Sequence, residues 1–192
     1  MRVNEIFYSL QGEGHNTGRP AVFVRFSGCN LRCPFCDTDF SAYRSMSVDE
    51  MMDAIAGYPT HFVVLTGGEP TLQVDDAFVA VLHSYGYEVA IETNGTRPVP
   101  EAIDWVTVSP KQPFTGDAGK PVVSHCQELK CVFDGVHPVS DYGIEADYRY
   151  LQPCDTGDSQ RNAAVNRACF DYILAHPEWR LSLQTHKLIG FK

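Results

Sequence analysis

The chain has 192 residues, 44% of them hydrophobic, with 15 Lys and Arg against 24 Asp and Glu. The resulting net charge of −9 argues against a nucleic-acid backbone as the main partner, because such proteins cluster Lys and Arg to neutralise phosphates. No apolar run is long enough to span a membrane and the first residues lack the apolar segment of a secretory signal, so we expect one cytoplasmic domain over residues 1–192.

Short apolar runs alternate with helical patterns along the chain. β-Branched and aromatic content predicts strands at Ala21–Phe26, His61–Leu65, Tyr87–Ile91, Trp105–Val108, Glu128–Phe133, Tyr148–Leu151 and Arg180–Leu183. Apolar spacing and end signals predict helices at Met51–Ile55, Val74–Tyr85 and Gln160–Ala175, with room for a short helix between the third and fourth strands. The first of these helices follows a capping box formed by Ser47 and Glu50.

Strands that alternate with helices predict an α/β fold with a parallel sheet. A closed eight-stranded barrel with its helices takes about 250 residues, so this chain is too short for one and an open partial barrel is expected. Ligands of such sheets gather at the carboxyl ends of the strands.

Three cysteines lie in a C-x3-C-x2-C pattern just after the first predicted strand: Cys29, Cys33 and Cys36. Iron–sulfur cubanes are normally held by four thiolates, so three would leave one iron open to a chelating ligand. A structural zinc site is the alternative, with Asp37 or a distant histidine as fourth ligand. The remaining cysteines form no C-x2-C pair; they are Cys126, Cys131, Cys154 and Cys169. The odd count of seven cysteines disfavours a disulfide framework.

Polar motifs follow the ends of several predicted strands. Their ranges are Thr66–Pro70, Glu92–Gly95, Ser109–Lys111 and Leu151–Pro153, and two further polar segments are Leu10–Gly14 and Gln184–Lys187. Each alone is compatible with a plain surface turn. With Arg25, the segments Leu10–Gly14 and Gln184–Lys187 offer an amide, a carboxylate, an imidazole and a guanidinium, which suit a polar heterocycle bearing a carboxylate.

The cysteine spacing together with T-G-G-E-P resembles the radical S-adenosylmethionine (SAM) enzymes. The ordered motifs L-Q-G-E-G, V-F-V-R, C-x3-C-x2-C-D-T, T-G-G-E-P, E-T-N-G, S-P-K, L-Q-P and Q-T-H-K resemble those of the 7-carboxy-7-deazaguanine synthases of queuosine and 7-deazapurine biosynthesis. The resemblance covers nearly the whole chain. It implies an abbreviated (β/α)6 radical SAM barrel, a homodimer, and a magnesium-dependent lyase that contracts 6-carboxy-5,6,7,8-tetrahydropterin to 7-carboxy-7-deazaguanine with loss of ammonia.

The same resemblance assigns roles to individual residues. A [4Fe–4S] cluster would be held by Cys29, Cys33 and Cys36, and Mg²⁺ by Thr38. SAM contacts would come from Phe35, Gly68, Glu69, Glu92, Ser109, Lys111 and Gln152. Substrate contacts would come from Leu10, Gln11, Gly12, Glu13, Arg25, Thr66, His186 and the carboxylate of Lys192. A one-electron donor such as flavodoxin or ferredoxin is implied as partner.

Two other functions share parts of this pattern. A glycyl-radical activating enzyme has the same cysteine spacing but acts on a backbone glycine of a large protein partner, whereas the segments around Gln11 and His186 look built for a small ligand. A zinc-binding module without catalysis would contain about one zinc per chain and be colourless.

Overall fold

A computed structural model describes residues 1–39 and 42–192, which form one mostly parallel sheet flanked by helices. Its strands are β1 (Arg2–Leu10), β2 (Pro20–Phe26), β3 (Arg44–Ser45), β4 (Phe62–Gly67), β5 (Glu88–Thr93), β6 (Trp105–Val108), β7 (His125–Phe133), β8 (Glu145–Pro153) and β9 (Arg180–Leu181). Its α-helices are α1 (Val48–Ala56), α2 (Asp76–Ser84), α3 (Gln112–Thr115), α4 (Ser159–Ala175) and α5 (Thr185–Ile189). Short 3₁₀ turns span Pro70–Leu72 and Gly116–Gly119.

The strand order is β3-β1-β2-β4-β5-β6-β7-β8-β9, and every pair from β2 to β9 is parallel. The predicted open α/β sheet is therefore confirmed, and each predicted strand is present. The strands β1 and β3, at one edge of the sheet, were not predicted. Their pairing is antiparallel, which breaks the regular alternation of strands and helices. Residues 94–104 form turns rather than a short helix.

Local sequence signals explain where the outer helices begin. At α1 the Ser47 hydroxyl accepts from the Glu50 backbone N–H at 3.2 Å, and the Glu50 carboxylate accepts from the Ser47 N–H at 2.7 Å. This confirms the predicted capping box. The side chain of Asp158 caps α4 in the same way by accepting from Arg161 N at 2.8 Å. Among the described residues, no helix is both long and apolar enough to cross a bilayer.

Two apolar layers fix the sheet against these helices. Fully buried side chains from β2, β4 and β5 pack against α1 and α2, which contribute Met51, Ile55 and Leu82 to the same cluster. A second cluster joins β7 and β8 to α4 and contains Leu129, Leu151 and three of the cysteines outside the motif: Cys126, Cys131 and Cys169. The carboxyl ends of the strands are left free for polar groups.

The loop between β1 and β2 packs against side chains of the sheet. The His15 ring lies 4.8 Å from that of Trp105 and 4.2 Å from that of Tyr148, centroid to centroid. The Arg19 guanidinium stacks 3.6 Å above the Phe62 ring. These contacts anchor both halves of the loop and hold residues 11–13 near the strand ends.

Candidate active site

The three motif cysteines lie in the loop after β2 and line one cavity of about 730 Å³ at the carboxyl ends of the strands. Gly28 begins this loop with φ of 95°, a conformation that glycine adopts without strain. The Cys29 sulfur accepts a hydrogen bond from Leu31 N at 3.4 Å, and Cys36 N donates to Cys33 O at 3.2 Å. The loop thus turns back on itself and presents all three thiols to the same space, which we call the cofactor cavity.

Electrostatics also group these three thiols together. Burial raises the pKa of the Cys33 thiol, and the neighbouring Cys29 and Cys36 raise it further while the Lys111 ammonium opposes them. Cys154 lines the same cavity, but its pKa is raised by burial and by Asp134 and Asp155, opposed by Arg161 and Lys187, with no contribution from the motif cysteines. The three motif thiols line one cavity and interact electrostatically, which fits the donor set of the predicted three-thiolate cluster.

Within residues 1–39 and 42–192, no three or more His, Cys, Asp or Glu side chains, the motif thiols included, are gathered as a preformed metal site, so this observation does not separate zinc from a cluster. Asp37, the proposed fourth zinc ligand, instead accepts a hydrogen bond from Lys187 Nζ at 2.7 Å.

The glycine-rich motif after β4 packs directly against the cysteine loop. Gly68 N donates to Phe26 O at 3.1 Å, and Glu69 N donates to Gly28 O at 2.9 Å. A Cβ added to Gly68 would lie 2.1 Å from Gly28 O and 3.0 Å from Cys29 Cβ. Glycine at this position therefore lets two loops touch backbone to backbone.

Glu69 lies behind this contact and is completely buried. Its Oε1 accepts from Thr71 N at 3.1 Å, from Thr71 Oγ1 at 2.7 Å and from Thr93 Oγ1 at 2.7 Å, and its Oε2 accepts from Asn94 N at 2.8 Å. Unlike Gly68, Glu69 does not line the cofactor cavity. In this structure its carboxylate ties the ends of β4 and β5 together.

The other residues predicted to contact SAM all line the cofactor cavity: Phe35, Gly68, Glu92, Ser109, Lys111 and Gln152. Lys111 Nζ donates to both the carbonyl and the hydroxyl of Ser109 at 2.6 Å, and burial lowers the pKa of Lys111. The Phe35 ring meets Phe114 of α3 edge-on at 4.6 Å. Phe114 was missed in the sequence, where residues 112–127 matched no motif.

A second cavity of about 420 Å³ adjoins the first, and we call it the substrate cavity. All residues predicted to contact substrate line it: Leu10, Gln11, Gly12, Glu13, Arg25, Thr66, His186 and Lys192. Arg25 Nε donates to Glu5 Oε1 at 2.9 Å, which fixes the guanidinium plane from one side. Glu5 was not predicted, because it lies in the strand β1 that the sequence did not reveal.

Residues 184–192 form one wall of the substrate cavity. Thr185 donates to Gly12 O through its N–H and its hydroxyl, both at 2.9 Å. A Cβ added to Gly12 would lie 2.4 Å from His186 Nδ1, so glycine allows the imidazole to approach. Lys192 Nζ forms an ion pair with Glu5 and lies 4.7 Å from the Phe7 ring centroid.

Thr38 lines both cavities and therefore lies where they meet. Its neighbour Asp37 also lines both, but the Asp37 carboxylate pairs with Lys187, which donates in addition to Asp155 at 3.0 Å. These two ion pairs connect the cysteine loop, the end of β8 and helix α5.

A buried charge cluster lies beneath the boundary of the cavities. Lys130 Nζ donates to Glu13 Oε2 at 2.8 Å and to Glu92 Oε2 at 2.9 Å, and Glu128 lies on the same strand. Burial and the other carboxylates raise the pKa of Glu92 to about 7, whereas the Lys130 ammonium outweighs burial at Glu13 and lowers its pKa to about 2. Neither Lys130 nor Glu128 was singled out in the sequence, although two charges at alternate positions of an otherwise apolar strand were a usable signal.

Comparisons with known proteins agree with this geometry. The family model described as Radical SAM superfamily matches residues 23–106. The chain is 51% identical to 7-carboxy-7-deazaguanine synthase of Bacteroides thetaiotaomicron, covering 100% of this chain and 98% of that protein. It is 45% identical to the enzyme of the same name from Nitratidesulfovibrio vulgaris, with 98% of each chain covered. The crystal structure of QueE from Escherichia coli matches with a TM-score of 0.76 at 30% identity, over 96% of this chain and 94% of that one.

Proposed function

Because the chain belongs to the 7-carboxy-7-deazaguanine synthase family of the Radical SAM superfamily, we propose that it converts 6-carboxy-5,6,7,8-tetrahydropterin to 7-carboxy-7-deazaguanine with loss of ammonia. The observation that carries the proposal is the pair of adjoining cavities. One is lined by three thiols, and the other by an amide, an arginine, a carboxylate and a histidine.

In this proposal Cys29, Cys33 and Cys36 hold a [4Fe–4S] cluster in the cofactor cavity, and Ser109, Lys111 and Gln152 contact SAM beside it. When bound, the cluster and SAM supply the radical chemistry that removes hydrogen from C6 of the pterin. The chain's own residues bind and orient the reactants, as is usual where a cofactor carries the difficult step. A flavodoxin or ferredoxin supplies electrons, a second copy completes a homodimer, and a reducing cytoplasm preserves the thiols.

The substrate cavity supports the proposal by its size and donors. Its volume of about 420 Å³ is in the range of pockets that enclose small heterocycles. Glu5 binds Arg25 only through Nε, so the terminal amino groups of Arg25 are placed to bind a carboxylate in a bidentate manner. Gln11, Glu13 and His186 provide the donors and acceptors that a pterin ring requires.

We assign a magnesium ion to Thr38. Mg²⁺ prefers oxygen ligands in octahedral geometry and keeps several waters, so one threonine oxygen suffices if the substrate provides the rest. Thr38 lies at the meeting point of the cavities, where a bound ion can orient the substrate carboxylate toward SAM. Because Asp37 is paired with Lys187, we do not assign it as a direct ligand.

The glycyl-radical activating enzyme is not favoured, because the wall formed by residues 184–192 and the small cavity behind it suit a free small molecule. The relatives that cover the whole chain also belong to the synthase family.

An anaerobic assay tests the proposed function. The reconstituted enzyme with SAM, a strong reductant, Mg²⁺ and the carboxypterin should form 7-carboxy-7-deazaguanine and ammonia in equal amounts. Cys33→Ala should abolish both products, whereas Cys126→Ala, which alters a buried core thiol, should retain iron and activity. Cleavage of SAM with the carboxypterin recovered unchanged would reject this substrate.

A further inference from the structure

The buried ammonium of Lys130 lies between Glu13, which is assigned to the substrate, and Glu92, which is assigned to SAM. Its side chain is 5% exposed and projects from the middle of β7, where it contacts Glu13 from the loop after β1 and Glu92 at the end of β5. Glu13 and Glu92 both line both cavities. Lys130 itself lines only the cofactor cavity.

The two carboxylates are also held from their other sides. Gln184 Nε2 donates to Glu13 Oε1 at 3.0 Å, and Gln11 Nε2 donates to Glu92 Oε1 at 3.2 Å. Lys130 is thus the cation in a continuous chain of polar contacts that runs from the wall of the substrate cavity to the end of β5. Breaking that chain at Lys130 would leave two buried carboxylates without their counter-ion.

Four other charged groups surround Lys130. Besides Glu13 and Glu92, Lys130 is influenced by Glu128 of its own strand, and its charge acts on the buried Lys111 at the end of β6. Glu128 Oε2 accepts from His15 N at 3.0 Å, whereas its buried Oε1 has no partner among the described residues. Carboxylates outnumber the ammonium that contacts them, so the position of Lys130 decides which of them stay ionised.

We propose that Lys130 is a positioning residue that aligns Glu13 for the substrate and Glu92 for SAM, and so links the two binding sites through one ammonium group. The inference rests on the proposed function for the identity of the pterin, but the SAM half of it does not. Although Lys130 borders the cofactor cavity, its ammonium is engaged by both carboxylates, and the role assigned here acts through them. Substrate recognition therefore depends on Lys130 only while Glu13 is present, and SAM recognition only while Glu92 is present.

Charge-balanced double variants test this without leaving two unpaired carboxylates. Lys130→Met combined with Glu92→Gln should bind the carboxypterin about 10- to 100-fold more weakly than Glu92→Gln alone, as expected for loss of a charge-assisted contact. Lys130→Met combined with Glu13→Gln should bind it within about 3-fold of Glu13→Gln alone. For SAM the expectation is reversed. Lys130→Met combined with Glu13→Gln should bind SAM about 10- to 100-fold more weakly than Glu13→Gln alone, and Lys130→Met combined with Glu92→Gln should bind it within about 3-fold of Glu92→Gln alone. Affinities are measured by anaerobic titration of reconstituted enzyme.

Controls separate this role from damage to the fold. Iron content and melting temperature of each double variant should stay near those of its Glu→Gln parent. Lys120→Met, on the exposed surface outside both cavities, should leave both affinities unchanged. In the Lys130→Met/Glu92→Gln variant, pterin affinity should also fall as the pH is lowered from 8 to 5, because Glu13 loses the ammonium that keeps it ionised.

Equal losses of pterin affinity in both backgrounds, or no loss in either, would overturn the proposal. If the wild type binds SAM but not the carboxypterin, the proposed function fails, and the SAM titrations alone still decide the role of Lys130.

Discussion

Replacing Gly68 with alanine should displace the cysteine loop and reduce cluster content. The added Cβ would lie 2.1 Å from Gly28 O and 2.5 Å from Gly28 C. Ordinary contacts between nonbonded heavy atoms need about 3.5 Å, so the backbones after β2 and β4 must separate by roughly 1 Å. The φ of Gly68 lies outside the left-handed region, so the clash itself is the perturbation.

The expected cost follows from this overlap. Forcing an extra methyl group into a packed contact costs about 1–3 kcal/mol, which for a domain of this size lowers the melting temperature by roughly 2–12 °C. The Glu69 N–H to Gly28 O hydrogen bond of 2.9 Å would lengthen or break at the same time. A shift of about 1 Å at Cys29 would reduce turnover by about 100-fold even where iron remains bound.

Gly57→Ala is the matched control. Gly57 has φ of −72° at the end of α1, and an added Cβ would meet nothing within 4 Å. Both variants should be purified anaerobically, and their iron per chain, melting temperature and turnover compared. If Gly68→Ala keeps the iron content and melting temperature of Gly57→Ala, the close approach of the two loops does not constrain the cluster site, and the reasoning is refuted.

Three further predictions concern single polar side chains. Thr38→Val should keep its iron but lose most of the stimulation of turnover by Mg²⁺, and equal stimulation of variant and wild type would remove the magnesium assignment. Glu69→Gln places an amide opposite four donors, so its free energy of unfolding in urea should be about 1.5–3 kcal/mol lower than that of the wild type. Titration should also show a weaker affinity for SAM. An unchanged urea midpoint would show that these contacts contribute little. Burial raises the pKa of Glu92 from 4.5 to about 7, so the folded protein binds more protons than the unfolded chain between those values and stability falls as pH rises through that window. Glu92→Gln removes this titrating group. Between pH 5 and pH 8 its free energy of unfolding should therefore fall by about 1–3 kcal/mol less than that of the wild type, and an equal fall in both proteins would contradict the pKa assignment.

Much of the sheet could be predicted from the sequence because its parallel strands are buried and apolar. Runs such as Phe62–Leu65 and Val89–Ile91 have no competing pattern, and each motif that follows a strand lies at the same edge of a parallel sheet. This reasoning brought Gly68, Glu92, Ser109 and the three cysteines to one place without any knowledge of contacts.

Strand β1 escaped prediction for a physical reason. Only one of its residues, Val3, is fully buried, so β1 lacks the apolar run that marks the central strands. It pairs antiparallel with β2, from Leu10 opposite Pro20 to Val3 opposite Phe26, so it lies outside the strand–helix alternation that marked the other strands. Glu5, which orients Arg25, was therefore hidden along with its strand.

Buried polar clusters are the second kind of feature that sequence reasoning missed. Lys130 contacts Glu13, which is 117 positions away, and no local pattern encodes such a pair. Lysine is mostly found on protein surfaces, so its type alone suggests solvent rather than a cluster beneath two cavities. The alternation of Glu128 and Lys130 in β7 showed only that both share one face of the strand.

The wall formed by residues 184–192 has a consequence for biosynthesis. The Ser9 hydroxyl donates to an oxygen of Lys192, so this wall contacts a residue 183 positions earlier in the chain. Chains are made at about 5–20 residues per second, so β1, β2 and the cysteine loop wait several seconds on the ribosome before this wall can form. Contacts of such sequence separation also form late in folding. The cysteine loop is therefore synthesised well before the wall that borders the substrate cavity.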